Sequence, residues 1–364
     1  MNKIGQNKNR FCRVVDGNFF CMGCMSEGAS EPESRAPENI RQEISVDKPQ
    51  LPRQELIVYS SPAKYSYENF LSDVNILRDK YPTQMQVVKL CDTADGRGVF
   101  DIVLGDLNAA NHILIFGAMH AREYITVQVV MRQLCESLDA LNNRGNYRGV
   151  PVSELLEGLA IHFVPNSNPD GVAISQFGLN ALNNPALRAR VAAMGSSDYE
   201  QWKANANGVD LNRNFDAGWY EFVGSPAPST ERYKGTAPGS EPEAAALIAL
   251  TKNYPVKRTI SYHTCGALIY WYYKQSGTVL TESEKFAKHI SAVTGYPLDD
   301  DYTAVDAAGF KDWAVYKAGI PGLTIEVGAE SGGLVNPVPQ SRFNAIWNRN
   351  KDVVYATAYN LKFE

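Results

Sequence analysis

Long apolar runs are missing from this sequence of 364 residues. No stretch of about 18 apolar residues occurs, so there is no candidate for a transmembrane helix and no membrane partner is expected. A strong charge of one sign is missing as well. The net charge is −5 with no long basic block, which argues against a nucleic-acid-binding surface. A signal-peptide pattern is not visible either, because the apolar stretch at 19–25 is short and polar residues follow at once. The expected location is cytoplasmic, with the cell wall or the extracellular space as the alternative. Cysteine is scarce, at 6 residues. Cys91, Cys135 and Cys265 sit singly in apolar surroundings, where buried thiols are common. Cys12, Cys21 and Cys24 form C-x8-C-x2-C, half of a zinc site without its second half, and read as tail thiols before a metal or redox role.

What is present is ordinary for a globular protein. Hydrophobic residues make up 44% and charged ones 21%, which excludes wholesale disorder and collagen-like architecture. Residues 1–54 read as an extension, since 26–53 is rich in Glu, Pro, Ser and Arg and poor in large apolar residues. The region 55–364 is patterned throughout. Tyr67–Lys80 carries Phe70, Leu71, Val74 and Leu77 at helical spacing. Short apolar runs at 112–119, 159–165, 258–263 and 322–327 read as buried strands, and 123–138, 241–251 and 281–294 as helices. Strands alternating with helices predict an α/β sheet with buried central strands.

In such sheets, function gathers beyond the carboxyl ends of the strands. The polar residues there are His120 and Glu123, Asn166 to Asp170, His263 and Glu326. His120 and Glu123, three apart at a strand-to-helix turn, can face one metal. Alone the pair is weak, since a chance H-x-x-E arises roughly 0.3 times in a chain of this composition. His263 adds a third donor, and three protein ligands are what a catalytic zinc keeps when its fourth position is left for water. His162, inside an apolar strand, reads instead as a satisfied core histidine. Glu326 interrupts an apolar strand and must face a cleft or a partner. Beside a metal it is placed for general-base work; the alternative is a structural salt bridge. Arg213 with Asn212 offers a fork of donors suited to a carboxylate, or equally a loop held by side-chain hydrogen bonds.

Six segments in order carry a family resemblance: HAREYIT (120–126), NPDGVAIS (168–175), GVDLNRNFDAGW (208–219), TISYHTCGALIYW (259–271), GFKDW (309–313) and TIEVG (324–328). Together they resemble the zinc metallocarboxypeptidases. The resemblance implies a single α/β domain with a mixed, mainly parallel eight-stranded sheet flanked by helices. It further implies one zinc on His120, Glu123 and His263, with Glu326 as general base. Asn212 and Arg213 match the pair that holds the substrate's terminal carboxylate. Arg122 resembles a residue lining the outer substrate subsite, and Asp210 the carboxylate that orients the first histidine. Two positions depart from the family pattern. Lys203, after Trp202, stands where the oxyanion-stabilising arginine is expected, and the mobile tyrosine has Tyr302 only as its nearest counterpart.

GFKDW, TIEVG and the tail NPVPQSRFNAIWNRNKDVV resemble more narrowly the bacterial γ-D-glutamyl-diaminopimelate peptidases. The implied activity is hydrolysis of the γ-D-glutamyl-diaminopimelate bond of murein stem peptides by a zinc-activated water. A general carboxypeptidase for ordinary L-peptides is the rival within the class, and an inactive peptide-binding module the rival outside it. Lys311 falls at the position that lines the base of the side-chain pocket in this family. A lysine there predicts pairing with the second carboxylate of diaminopimelate, against pairing with Asp312, Asp306 or another internal carboxylate.

Overall fold

The computed structural model describes residues 56–299 and 307–364. The extension expected at 1–54, with Cys12, Cys21 and Cys24, lies outside the described residues, and so does Tyr302. The strands described are β1 (Met85–Asp92), β2 (Gly98–Gly105), β3 (Asn111–Phe116), β4 (Asn146–Tyr147), β5 (Val150–Pro151), β6 (Leu159–Val164), β7 (Val256–Thr264), β8 (Leu268–Tyr270), β9 (Leu298–Asp299) and β10 (Gly322–Val327). β4 and β5 form a small hairpin. The other eight form one sheet in the order β1-β2-β6-β3-β7-β10-β8-β9. The centre, β6-β3-β7-β10, is parallel, while β1/β2, β2/β6 and β10/β8 pair antiparallel. This is the mixed eight-stranded sheet that the resemblance implies.

Alternation along β3 explains why the centre is largely apolar. Ile113 and Ile115 point into one core, together with Val129 and Leu134 of the helix Ile125–Asn142 and Phe70 and Val74 of Tyr67–Lys80. Leu114 and Phe116 point into a second core, with Leu247 of the helix Pro242–Asn253 and with Phe310 and Trp313. With both faces covered, the central strands are largely hydrophobic, and buried polar residues among them, such as His162 and Ser261, find hydrogen-bond partners. The expected helix at Tyr67–Lys80 forms with those bounds, capped by Ser66, whose hydroxyl accepts from Asn69 N at 3.2 Å.

Strand order positions the site. From β3 the chain goes to β6 on one side, then returns to β7 on the other. The two connections diverge at the β3 and β7 carboxyl ends, the kind of switch point where open α/β sheets hold ligands. Glu326 of β10 pairs in register with His263 of β7, so the two side chains leave the sheet next to each other.

Candidate active site

The turn after β3 is built to present two side chains. The chain passes through Ala118, at φ 54°, and makes a 3-10 turn, Ala121–Glu123, before the helix begins at Ile125. The helix was expected from 123. It starts two residues later because Thr126 pins the turn: its hydroxyl donates to Glu123 O and accepts from Ala118 N, both at 2.8 Å. Gly117 allows this closeness, since a Cβ there would stand 3.0 Å from Thr126 O. Asn168 braces the other side. Its Oδ1 caps the helix Pro169–Phe177 through Gly171 N at 3.1 Å, and its Nδ2 donates to Met119 O at 3.1 Å and Ala204 O at 3.2 Å. Asp170 of the same motif is structural here, salt-bridged to Arg97 at 2.8 Å.

His120, Glu123 and His263 converge, all buried, with their ligand atoms within 4.8 Å of one another. Nδ1 of His120 lies 2.8 Å from Glu123 Oε1, Nδ1 of His263 lies 2.9 Å from Glu123 Oε2, and the two Nδ1 atoms are 3.1 Å apart. Ligands of a tetrahedral zinc, at 2.0–2.1 Å from it, stand about 3.3 Å from one another. Two imidazole nitrogens and a carboxylate at these separations fit that ion. Protonation of His120 and Glu123 fits as well. Burial lowers the His120 pKa, which keeps the ring neutral as a ligand must be. Burial would raise Glu123, but His120 and His263 outweigh it and hold the carboxyl far below its usual range. His263 is moved up, burial being overridden by the Glu123 carboxylate.

Asp210 stands behind His120, with Oδ1 3.2 Å from the outer ring nitrogen Nε2. Burial would raise its pKa, but Lys203 and His120 hold it well below the carboxylate range. Lys203 Nζ lies 3.4 Å from Asp210 Oδ2, so the cation expected at the oxyanion is engaged by this carboxylate. Glu326 has one oxygen, Oε2, shielded from solvent without a hydrogen-bond partner. Burial and the Glu123 charge push its pKa up to about 7, against the pull of His263, Lys203 and Arg213. Among the described residues, none forms a salt bridge with Glu326. Asn212 Oδ1 accepts from Phe310 N at 3.0 Å, which leaves its NH2 to offer a ligand. Arg213 is buried, stacked 5.2 Å from the Phe222 ring, with Nη1 donating to Asn212 O at 2.8 Å. Arg122 reaches Gln201 O at 3.3 Å and Glu231 at 3.6 Å.

Lys311 corrects the expectation made for it. Its ammonium lies 2.6 Å from Asp312 and donates to Tyr272 O at 2.7 Å. The cation that was to await a substrate carboxylate already has an internal partner, because a buried lysine left unpaired is costly. The other histidines pair among themselves or elsewhere: His162 with Asp101 at 2.6 Å and with His112 at 2.8 Å, and His289 with Glu364 at 2.6 Å.

A two-imidazole, one-carboxylate centre at the sheet's switch point, with a second carboxylate beside it, defines a metal-dependent hydrolase. The chain belongs to the zinc carboxypeptidase family, whose model matches residues 70–353. It is 32% identical over 299 residues to gamma-D-glutamyl-L-diamino acid endopeptidase 1 of Lysinibacillus sphaericus, covering 81% of this chain and 72% of that protein. Among solved structures it resembles thrombin activatable fibrinolysis inhibitor, with a TM-score of 0.68 at 20% identity over 85% of this chain and 76% of that one. Carboxypeptidase A from Helicoverpa armigera matches with a TM-score of 0.63 at 17% identity, over 82% and 74%. These two likenesses are of fold. The protein is a zinc metallopeptidase.

Proposed function

We propose that this peptidase hydrolyses the γ-D-glutamyl-diaminopimelate bond of murein stem peptides. The observation that carries the substrate is the 32% identity, over most of both chains, to an endopeptidase named for a γ-D-glutamyl-diamino acid bond. In this proposal His120, Glu123 and His263 hold the zinc, which supplies Lewis-acid polarisation of the carbonyl and lowers the pKa of water. Asn212 and Arg213 bind the terminal carboxylate of the substrate, the amide through its NH2 and the guanidinium through its fork. Glu326 takes a proton from the attacking water on Oε2 and delivers it to the leaving amine. Its raised pKa suits a group that must both accept and return a proton near neutrality. Asp210 fixes the His120 ring, and Lys203 balances the Asp210 charge. Arg122 lines the outer part of the cleft.

The internal pairing of Lys311 favours a second possibility, a carboxypeptidase for ordinary L-peptides, because the feature expected to select diaminopimelate is occupied. One assay separates them. Zinc-loaded enzyme is given L-Ala-γ-D-Glu-meso-diaminopimelate beside a peptide ending in L-Phe, and kcat/KM is measured on each. The proposal expects release of diaminopimelate with at least a hundredfold preference, abolished by chelator and restored by zinc. An equal or reversed preference overturns it.

A further inference from the structure

The geometry points to Asn336 as a positioning residue that cross-links the three segments around the metal-binding cluster. It lies in the loop after β10, ten residues beyond Glu326, and opens the tail segment NPVPQSRFNAIWNRNKDVV. Its side chain clasps Thr264, the residue after His263, at both ends. Oδ1 accepts from the Thr264 hydroxyl at 2.5 Å, and Nδ2 donates to Thr264 O at 3.1 Å. Its own carbonyl accepts from Gln201 Nε2 at 2.7 Å, and Gln201 O in turn accepts from Arg122 at 3.3 Å. One asparagine thereby ties the end of β7, the segment leading to Lys203 and the loop that follows the Glu326 strand.

What this tie controls is the Glu123 carboxylate. Thr264 N donates to Glu123 Oε2 at 3.2 Å, the same oxygen that faces His263 Nδ1 at 2.9 Å. The Thr264 peptide fixes the carboxylate only if it is itself fixed, and beyond Thr264 the β7 strand has ended. Thr264 is the last residue of the ladder, in register with Val327 of β10, and the two Asn336 bonds hold its outer end where strand pairing stops. Partners one bond removed from a metal ligand set its orientation, and losing them typically costs 10–100-fold in metal affinity or activity. Asn336 touches neither metal nor substrate in this scheme and acts through Thr264 and Glu123. The inference rests on Glu123 as a ligand and is independent of which peptide is cut.

The test is zinc release from the holoenzyme into a chromogenic chelator, with kcat and KM measured separately. N336A should release zinc at least tenfold faster and lose kcat with little change in KM. T264V, which removes the hydroxyl but leaves the backbone, should move both readouts in the same direction. T264S, which keeps the hydroxyl, should restore slow release. The double variant N336A/T264V should be little worse than N336A alone, because the two changes remove one shared contact. N336D, which keeps the acceptor and loses the donor, should fall between N336A and the wild type. Wild-type zinc release in N336A, a loss confined to KM, or losses that add in full across the double variant would each overturn the assignment. Wild-type enzyme that holds zinc yet leaves the murein tripeptide intact overturns the substrate proposal alone.

Discussion

Replacing Glu326 with glutamine tests the division of labour in the cleft most directly. The change is nearly isosteric and leaves His120, Glu123 and His263 in place, so zinc content should stay at one ion per chain. What it removes is the proton acceptor. General-base catalysis is worth roughly 10²–10⁴-fold, and the surroundings of Glu326 place the loss in the upper half of that range. Its Oε2 is buried without a hydrogen-bond partner, so it has no existing bond to exchange for a proton. Among the described residues, no neighbouring carboxylate is placed to substitute for it. Glu123 lies within 3 Å of both histidines, and Asp210 is held between His120 at 3.2 Å and Lys203 at 3.4 Å. A loss of about 10³–10⁴-fold in kcat, or about 4–5.5 kcal/mol of barrier, is expected. The assay is steady-state hydrolysis of the diaminopimelate tripeptide, with metal content measured on the same preparation. Activity at the wild-type level would show that Glu326 is not the base. Loss of zinc would show that it is part of the metal site.

Arg213→Ala should lower kcat/KM by the equivalent of about 2–5 kcal/mol for a peptide with a free terminal carboxylate. It should change little for the C-terminal amide, and equal losses on both would refute carboxylate binding. Glu243 is fully buried, and burial together with Glu241 and Asp170 pushes its pKa up to about 8. Its folded pKa lies above the unfolded value, so the stability it contributes is complete below about pH 4.5 and is lost as pH rises through 8. Glu243→Gln should therefore gain on the wild type between pH 5 and 9 in denaturant unfolding, and parallel pH profiles would refute this. Lys311→Ala should strip the partner from Asp312, whose side chain is only 8% exposed, and cost about 3 kcal/mol in stability. An unchanged unfolding midpoint, with a loss confined to diaminopimelate substrates, would return Lys311 to the substrate pocket.

Much of this protein was settled within short stretches of sequence. Helical spacing of Phe70, Leu71, Val74 and Leu77 marked the helix Tyr67–Lys80, and apolar runs marked β3, β6, β7 and β10, because periodicity and burial on both faces leave their mark residue by residue. The pairing of His120 with Glu123 was legible for the same reason: two residues three apart at one turn share a side. The motifs in order named the family, since each preserves a local chemistry that chance does not assemble six times. Other features belong to long-range pairing, which no local pattern encodes. His263 meets Glu123 across 140 residues because β3 and β7 are neighbours in the sheet, and Glu326 stands beside His263 because β10 is in register with β7. Lys311 found its partner next door in Asp312, a choice between carboxylates that only packing makes. Asn336 shows the same limit: the tail motif that it opens marks its position but not its contacts, which form only where three distant segments close around one carboxylate.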